Sequence, residues 1–123
     1  MRAMPVSVLL VDDDPGFRDL AGRMLTALGL DVIAQVDTVS AALAAAADFQ
    51  PRAALVDVGL PDGDGVELAA ELSALPWRPR VVLISSDPDV TTPAEARAAG
   101  AIDFLSKTDL PTGILRRLLT GSD

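Results

Sequence analysis

Five short aliphatic runs, each followed by an amphipathic stretch, constrain this chain more than any other feature. The runs are Val6–Val11, Asp31–Val36, Ala53–Val58, Val81–Ile84 and Ala101–Leu105. They are near-continuously apolar rather than alternating, which suits strands of a parallel sheet covered on both faces. Between them, Phe17, Leu20, Ala21, Met24 and Leu28 fall at helical spacing, with Asp14 as N-cap, Pro15 at the first helical position and Gly29 as the stop. Val39, Ala42, Leu43 and Ala46 repeat the pattern after Thr38. Val66, Ala69, Ala70 and Ser73, with Leu68, Leu72 and Leu75 alongside, make a third helix. Pro93 opens a short fourth helix that ends near Gly100, and Ile114, Leu115, Leu118 and Leu119 mark the fifth. The alternation predicts five βα units: a doubly wound α/β domain with a central parallel sheet. No repeat or linker interrupts it, and 123 residues are the length of one domain, residues 1–123.

Composition removes most chemistries. The chain has no Cys and no His, so disulfides, thiolate zinc sites, thiol catalysis and histidine-assisted hydrolysis are excluded. Its 18 acidic residues against 10 basic ones give a net charge of -8, which argues against a nucleic-acid-binding face. Carboxylates, hydroxyls, amines and a hard cation such as magnesium or calcium remain. No apolar run approaches the roughly 20 residues that span a bilayer. Val6–Val11 is too short for a secretory core and runs into three aspartates, so a cytoplasmic protein without a membrane association is expected.

In a doubly wound sheet, ligands sit at the carboxyl ends of the strands near the reversal of strand order. The first run ends in Asp12-Asp13-Asp14, and three adjacent carboxylates repel unless a cation or a cap absorbs the charge. Asp14 serves as the cap, leaving Asp12 and Asp13 at the edge. Asp57 interrupts an apolar strand, where a charge is costly unless paired or coordinated. If the first and third strands are neighbours, in the flavodoxin-like order 2-1-3-4-5, the three carboxylates converge on an oxygen site suited to magnesium. The fourth run leads into Ser85-Ser86-Asp87 and the fifth into Ser106-Lys107. An Asp nucleophile, a metal site, a hydroxyl and an amine on one sheet edge form a phosphoryl-transfer constellation.

Two competing motifs fail. Asp62, Asp64, Gly65 and Glu71 match four places of an EF-hand calcium loop, but Leu60 occupies the first ligand position, Glu67 an apolar one, and a strand precedes the loop. A haloacid-dehalogenase-like phosphatase needs a second acid two residues after its nucleophile, where this chain has Gly59.

The ordered set Val11-Asp12-Asp13, Val56-Asp57-Val-Gly-Leu-Pro61-Asp-Gly-Asp-Gly65, Ile84-Ser85-Ser86 and Ala99-Gly100-Ala101-Ile-Asp-Phe104-Leu-Ser-Lys107 resembles the receiver domain of two-component response regulators over essentially the whole chain. The resemblance implies Asp57 as phosphoacceptor, and Asp12, Asp13, Asp57 and the backbone carbonyl of Gly59 as magnesium ligands. It implies Ser85 and Lys107 on the phosphoryl oxygens, and Phe104 as a switch aromatic that turns inward as Ser85 moves. The donor histidine must lie on a partner, a sensor histidine kinase or phosphotransfer protein. Such a domain is a switch rather than an enzyme, assisting only its own phosphorylation and dephosphorylation.

Its output surface is expected on the fourth helix, fifth strand and fifth helix, a possible homodimer face, with Arg97, Asp103, Arg116 and Arg117 as candidate charged contacts. Thr108 follows the lysine where the family often has Pro, so a trans peptide is expected there, since non-proline cis costs about 3 kcal/mol. Lys107-Thr-Asp-Leu-Pro111 is similar to receivers joined to LuxR-type outputs, which implies transcription regulation through an output domain absent from these residues. The alternative is a pseudo-receiver, a binding module of the same fold that is not phosphorylated.

Overall fold

The computed structural model describes residues 5–108 and 110–121. Five strands form one parallel sheet: β1 (Ser7–Val11), β2 (Asp31–Val36), β3 (Ala53–Asp57), β4 (Arg80–Ser85) and β5 (Asp103–Ser106). Five helices alternate with them: α1 (Pro15–Ala27), α2 (Val39–Phe49), α3 (Gly65–Ser73), α4 (Pro93–Ala98) and α5 (Thr112–Thr120). The order across the sheet is β2-β1-β3-β4-β5, the doubly wound arrangement that the alternating pattern predicts. It reverses between β1 and β3, where Val11 pairs with Val56, so the residues that follow these two are brought together.

The central strands explain why their sequences are apolar throughout. Val8 to Val11, Ala53 to Val56 and Val81 to Ile84 are all buried, because helices cover both faces. On one face Val8, Leu10, Leu55, Val82 and Ile84 pack with Ala21 and Leu25 of α1 and Leu115 and Leu119 of α5. On the other, Leu9, Val11, Val56 and Leu83 pack with Ala42 and Ala46 of α2, Leu68 and Leu72 of α3, and Ala96 of α4.

Side-chain caps start four of the helices. The Asp14 carboxylate accepts from the N–H groups of Gly16 and Phe17, Thr38 Oγ1 from Ala41, Asp64 from Val66 and Thr92 Oγ1 from Glu95. Gly29 has φ +87°, the left-handed conformation that lets the chain leave α1.

Several boundaries differ from the sequence expectation: β1 starts one residue later than the apolar run, and β4 is one residue longer at each end. β3 ends at Asp57 rather than Val58, because the Val58 carbonyl turns to accept from Gly65 N–H. The segment read as a plain loop contains an antiparallel ribbon pairing Gly59–Leu60 with Gly63–Asp64. β5 starts at Asp103 rather than Ala101, because Ala101 N–H still closes α4 onto the Ala96 carbonyl. The Lys107–Thr108 peptide is trans, and Asp109 of the Lys107–Pro111 stretch lies outside the described residues.

Candidate functional site

The carboxyl ends of β1, β3, β4 and β5 meet on one edge, and the charged residues gather there. Asp12 follows β1 and is fully buried. Its N–H donates to the Val36 carbonyl, and its Oδ1 accepts from Asp14 N–H at 2.8 Å. Arg18 Nη1 donates to its carbonyl at 2.6 Å, so the backbone of this turn is tied on both sides. Asp13 beside it is exposed, and Asp57 is buried at the end of β3.

Lys107 reaches into this group from the end of β5. Its N–H donates to the Ser85 carbonyl, which extends the β4–β5 ladder by one residue and fixes where the side chain departs. Nζ then lies 2.6 Å from Asp12 Oδ2 and 3.1 Å from Asp57 Oδ2. Asp57 Oδ1 accepts from Gly59 N–H at 3.3 Å. One ammonium therefore serves two buried carboxylates, with a third close by. Burial raises the Asp57 pKa, and the Asp12 charge adds to it; together they outweigh the opposing pull of Lys107 and of the Gly59 N–H. Burial works to lower the Lys107 pKa, but Asp12 and Asp57 between them raise it, so the amine stays charged.

One oxygen from each of Asp12, Asp13 and Asp57 lies within 4.8 Å of the others. Asp12 Oδ2 accepts no directed hydrogen bond among the described residues, although it is buried and touches Lys107. Three hard oxygen donors, one of them under-satisfied, and excess negative charge fit a divalent cation of the magnesium type.

Ser85 is buried at the end of β4, one residue beyond the Asp57–Ile84 pair, and its Oγ accepts from Asp87 N–H at 3.0 Å. Its hydroxyl keeps one O–H donor that no hydrogen bond among the described residues uses. Phe104 pairs with Leu83 on the β4–β5 ladder, and its ring is turned into the core against the α2–α3–α4 face. The candidate surface charges divide. Arg97 pairs with Asp103 at 3.6 Å, and Arg116 Nε donates to the Leu28 carbonyl at the end of α1, while Arg117 stays exposed.

Two contributors escaped the sequence reading. Phe17, read only as an apolar position of α1, places its ring centroid 4.6 Å from Lys107 Nζ, a cation–π contact that walls the amine. Asp62, weighed as a calcium ligand and otherwise only a place in the resemblance motif with no role given, accepts from Val39 and Ser40 N–H at 2.7 and 3.1 Å, tying the loop after Asp57 to the start of α2. Those two N–H bonds lower its pKa. Its spacing from an N-terminus 23 residues earlier gives no local signal.

A doubly wound parallel sheet with an acid cluster and a lysine ammonium gathered at its switch point is the architecture of a receiver domain. The chain belongs to the response regulator receiver domain family, whose model matches residues 8–118. The KDP operon transcriptional regulatory protein KdpE of Escherichia coli is 35% identical over 111 residues, 88% of this chain and 46% of KdpE. The probable transcriptional regulatory protein NarL of Mycobacterium tuberculosis is 33% identical over 115 residues, 93% of this chain and 53% of NarL. The chain thus spans about half the length of these curated relatives. The solved signal receiver domain of that NarL superimposes with a TM-score of 0.83 at 31% identity, covering 95% of each chain. Receiver domains are signalling switches of two-component systems rather than classical enzymes, they interact with histidine kinases or phosphotransfer proteins, and they bind Mg2+ at an acidic pocket. No helix of the described residues is long and apolar enough to cross a membrane.

Proposed function

We propose that residues 1–123 form a receiver domain that accepts a phosphoryl group on Asp57 from the phosphohistidine of a partner sensor kinase or phosphotransfer protein. An Asp57 carboxylate oxygen attacks phosphorus as the P–N bond breaks, and the bonding electron pair leaves with the partner's imidazole. Asp12, Asp13, Asp57 and the Gly59 carbonyl hold Mg2+, which when bound neutralises charge on the incoming phosphoryl oxygens. Lys107 moves its hydrogen bond from Asp57 onto a phosphoryl oxygen, and Ser85 donates its O–H to another. The single observation that carries this reading is the 2.6 and 3.1 Å contact of one lysine with two buried aspartates, beside a third carboxylate.

Phosphorylation replaces a carboxylate by a group of higher charge with more acceptor oxygens. The pull on Ser85 passes to Phe104 two strand positions from Lys107's anchor, and so to the surface of α4, β5 and α5, which serves a partner or a second copy of the chain. The relatives being transcriptional regulators, the switch acts in the cytoplasm on a transcription output of the LuxR type outside these residues. The intact Asp57–Lys107 pair speaks against a pseudo-receiver.

The test is incubation with a small phosphodonor and Mg2+, followed by intact mass. A labile phosphoryl adduct is expected in the wild-type chain and none in Asp57→Asn. No adduct in the wild type sinks the reading, and an adduct that persists without magnesium sinks the metal assignment.

A further inference from the structure

The molecule is strongly acidic, yet three of its ten basic residues line one cavity. This cavity of about 220 Å³ lies at the opposite end of the sheet from Asp57, bounded by Val6, Arg52, Trp77, Arg78, Arg80, Leu119 and Thr120. Arg52 precedes β3 and Arg80 begins β4, and Arg80 N–H donates to the Arg52 carbonyl, so the two are side by side on adjacent strands. Arg80 Nε donates to the Leu118 carbonyl at 2.7 Å, which aims its guanidinium and leaves its Nη groups without a partner among the described residues. Arg78 sits in the left-handed region at φ +48°, held by its N–H on the Leu75 carbonyl. A non-glycine residue takes that conformation at a cost, and here it stands in the turn that delivers Arg78 to the cavity. Trp77 is fixed by its Nε1–H on the Pro51 carbonyl at 2.8 Å and forms one wall.

No carboxylate pairs with any of these three guanidinium groups among the described residues. Arg23 pairs with Asp19 and Arg97 with Asp103, while Arg18, Arg116 and Arg117 likewise carry no acidic partner among the described residues; what sets Arg52, Arg78 and Arg80 apart is that they line one cavity. Three guanidinium groups that line one concave space with no acidic partner among the described residues repel one another unless an anion joins them. Their planar forks match phosphate oxygens. Three positive charges lining one cavity favour an anion of more than one negative charge, and a volume of about 220 Å³ suits a small molecule rather than a nucleic-acid strand or an extended acidic peptide.

We infer that the cavity between Arg52, Arg78 and Arg80 is a binding site for a small multivalent phosphate compound, a pyrophosphate or phosphomonoester group. The site is independent of the phosphoacceptor reading, because it uses none of that pocket's residues.

Trp77 is the only tryptophan and the chain has no tyrosine, so its fluorescence reports on this cavity alone. The 123-residue chain is titrated in magnesium-free buffer at constant ionic strength with pyrophosphate, inorganic phosphate and citrate, followed by fluorescence and calorimetry. Saturable pyrophosphate binding is expected at or below about 1 mM, with citrate at least about tenfold weaker. Arg52→Ala and Arg78→Ala, both at exposed positions, should each weaken it by about tenfold. Lys107→Ala and Asp57→Asn should leave it unchanged, which separates this site from the phosphoacceptor pocket. No saturable binding by either method overturns the inference. So does citrate binding as tightly as pyrophosphate, or binding that ignores the arginine replacements but falls in Lys107→Ala.

Discussion

Asp57 carries opposing demands at the scale of a single residue. Its pKa is raised because burial and the neighbouring Asp12 outweigh Lys107. A carboxyl with a raised folded-state pKa binds its proton more tightly in the native than in the unfolded chain. Its favourable contribution is full below the unfolded value near 3.8 and is lost as pH rises through the folded value. Ionised Asp57 is therefore a burden at neutral pH, and Asp57→Asn should raise the melting temperature of the magnesium-free protein by a few degrees, roughly what 1 kcal/mol does in a domain of this size. The gain should shrink as pH is lowered toward 4; a gain constant with pH in thermal scans would contradict the assignment. Phe17 makes a second residue-scale case. Phe17→Leu keeps an apolar side chain but removes the ring face under Lys107, at a cost of about 1 kcal/mol. Phe17→Tyr should restore most of it. A double-mutant cycle with Lys107→Met checks this, since coupling vanishes if the ring acts only by packing.

Among the elements, the short connection from β3 to α3 governs the site. A Cβ on Gly65 would lie 2.2 Å from the Asp57 carbonyl oxygen and 2.7 Å from Val58 Cα, both backbone atoms that cannot swing aside. The start of α3 is pressed against the residue carrying the candidate phosphoacceptor, and only glycine allows it. Gly65→Ala should cost about 1–3 kcal/mol in urea denaturation. It should also slow adduct formation with a small phosphodonor, because relief of the clash displaces the Asp57 backbone. Wild-type stability and rate in that variant would show that the approach is not tight. Asp62 braces the far side of the same connection by holding the first N–H groups of α2.

Across the whole molecule, a cation held by the pocket would link it to stability. Any ligand that binds the native state alone stabilises it by mass action, by about 2.7 kcal/mol at a hundredfold excess over its dissociation constant. Mg2+ should therefore raise the melting temperature of the wild type, and a chelator should reverse the gain. Asp12→Ala and Asp13→Ala should each blunt it. Asp57→Asn, already relieved of its charge, should gain less than the wild type. Equal gains in all four proteins, read by calorimetry, would place the cation elsewhere.

Much of this was legible in the chain, for reasons of distance. Strand and helix identity follow from apolar periodicity and capping residues, which act within a few positions: Asp14 caps α1, Thr38 caps α2, and Gly29 releases the chain. Asp12, Asp57 and Lys107 stood out because charges at the ends of apolar strands need a reason, and βα alternation sends those ends to one edge. The sequence by itself thus determined the layers, the parallel sheet and the residues that gather at its carboxyl end. Tertiary structure alone decided which atoms meet. It put one ammonium between two buried carboxylates, set the Phe17 ring against it, pinned Asp62 to a helix 23 residues away, and drew Arg52, Arg78 and Arg80 around one cavity. These contacts join residues far apart in the chain. They depend on register, burial and side-chain direction, which no local pattern encodes and which packing of the whole domain sets.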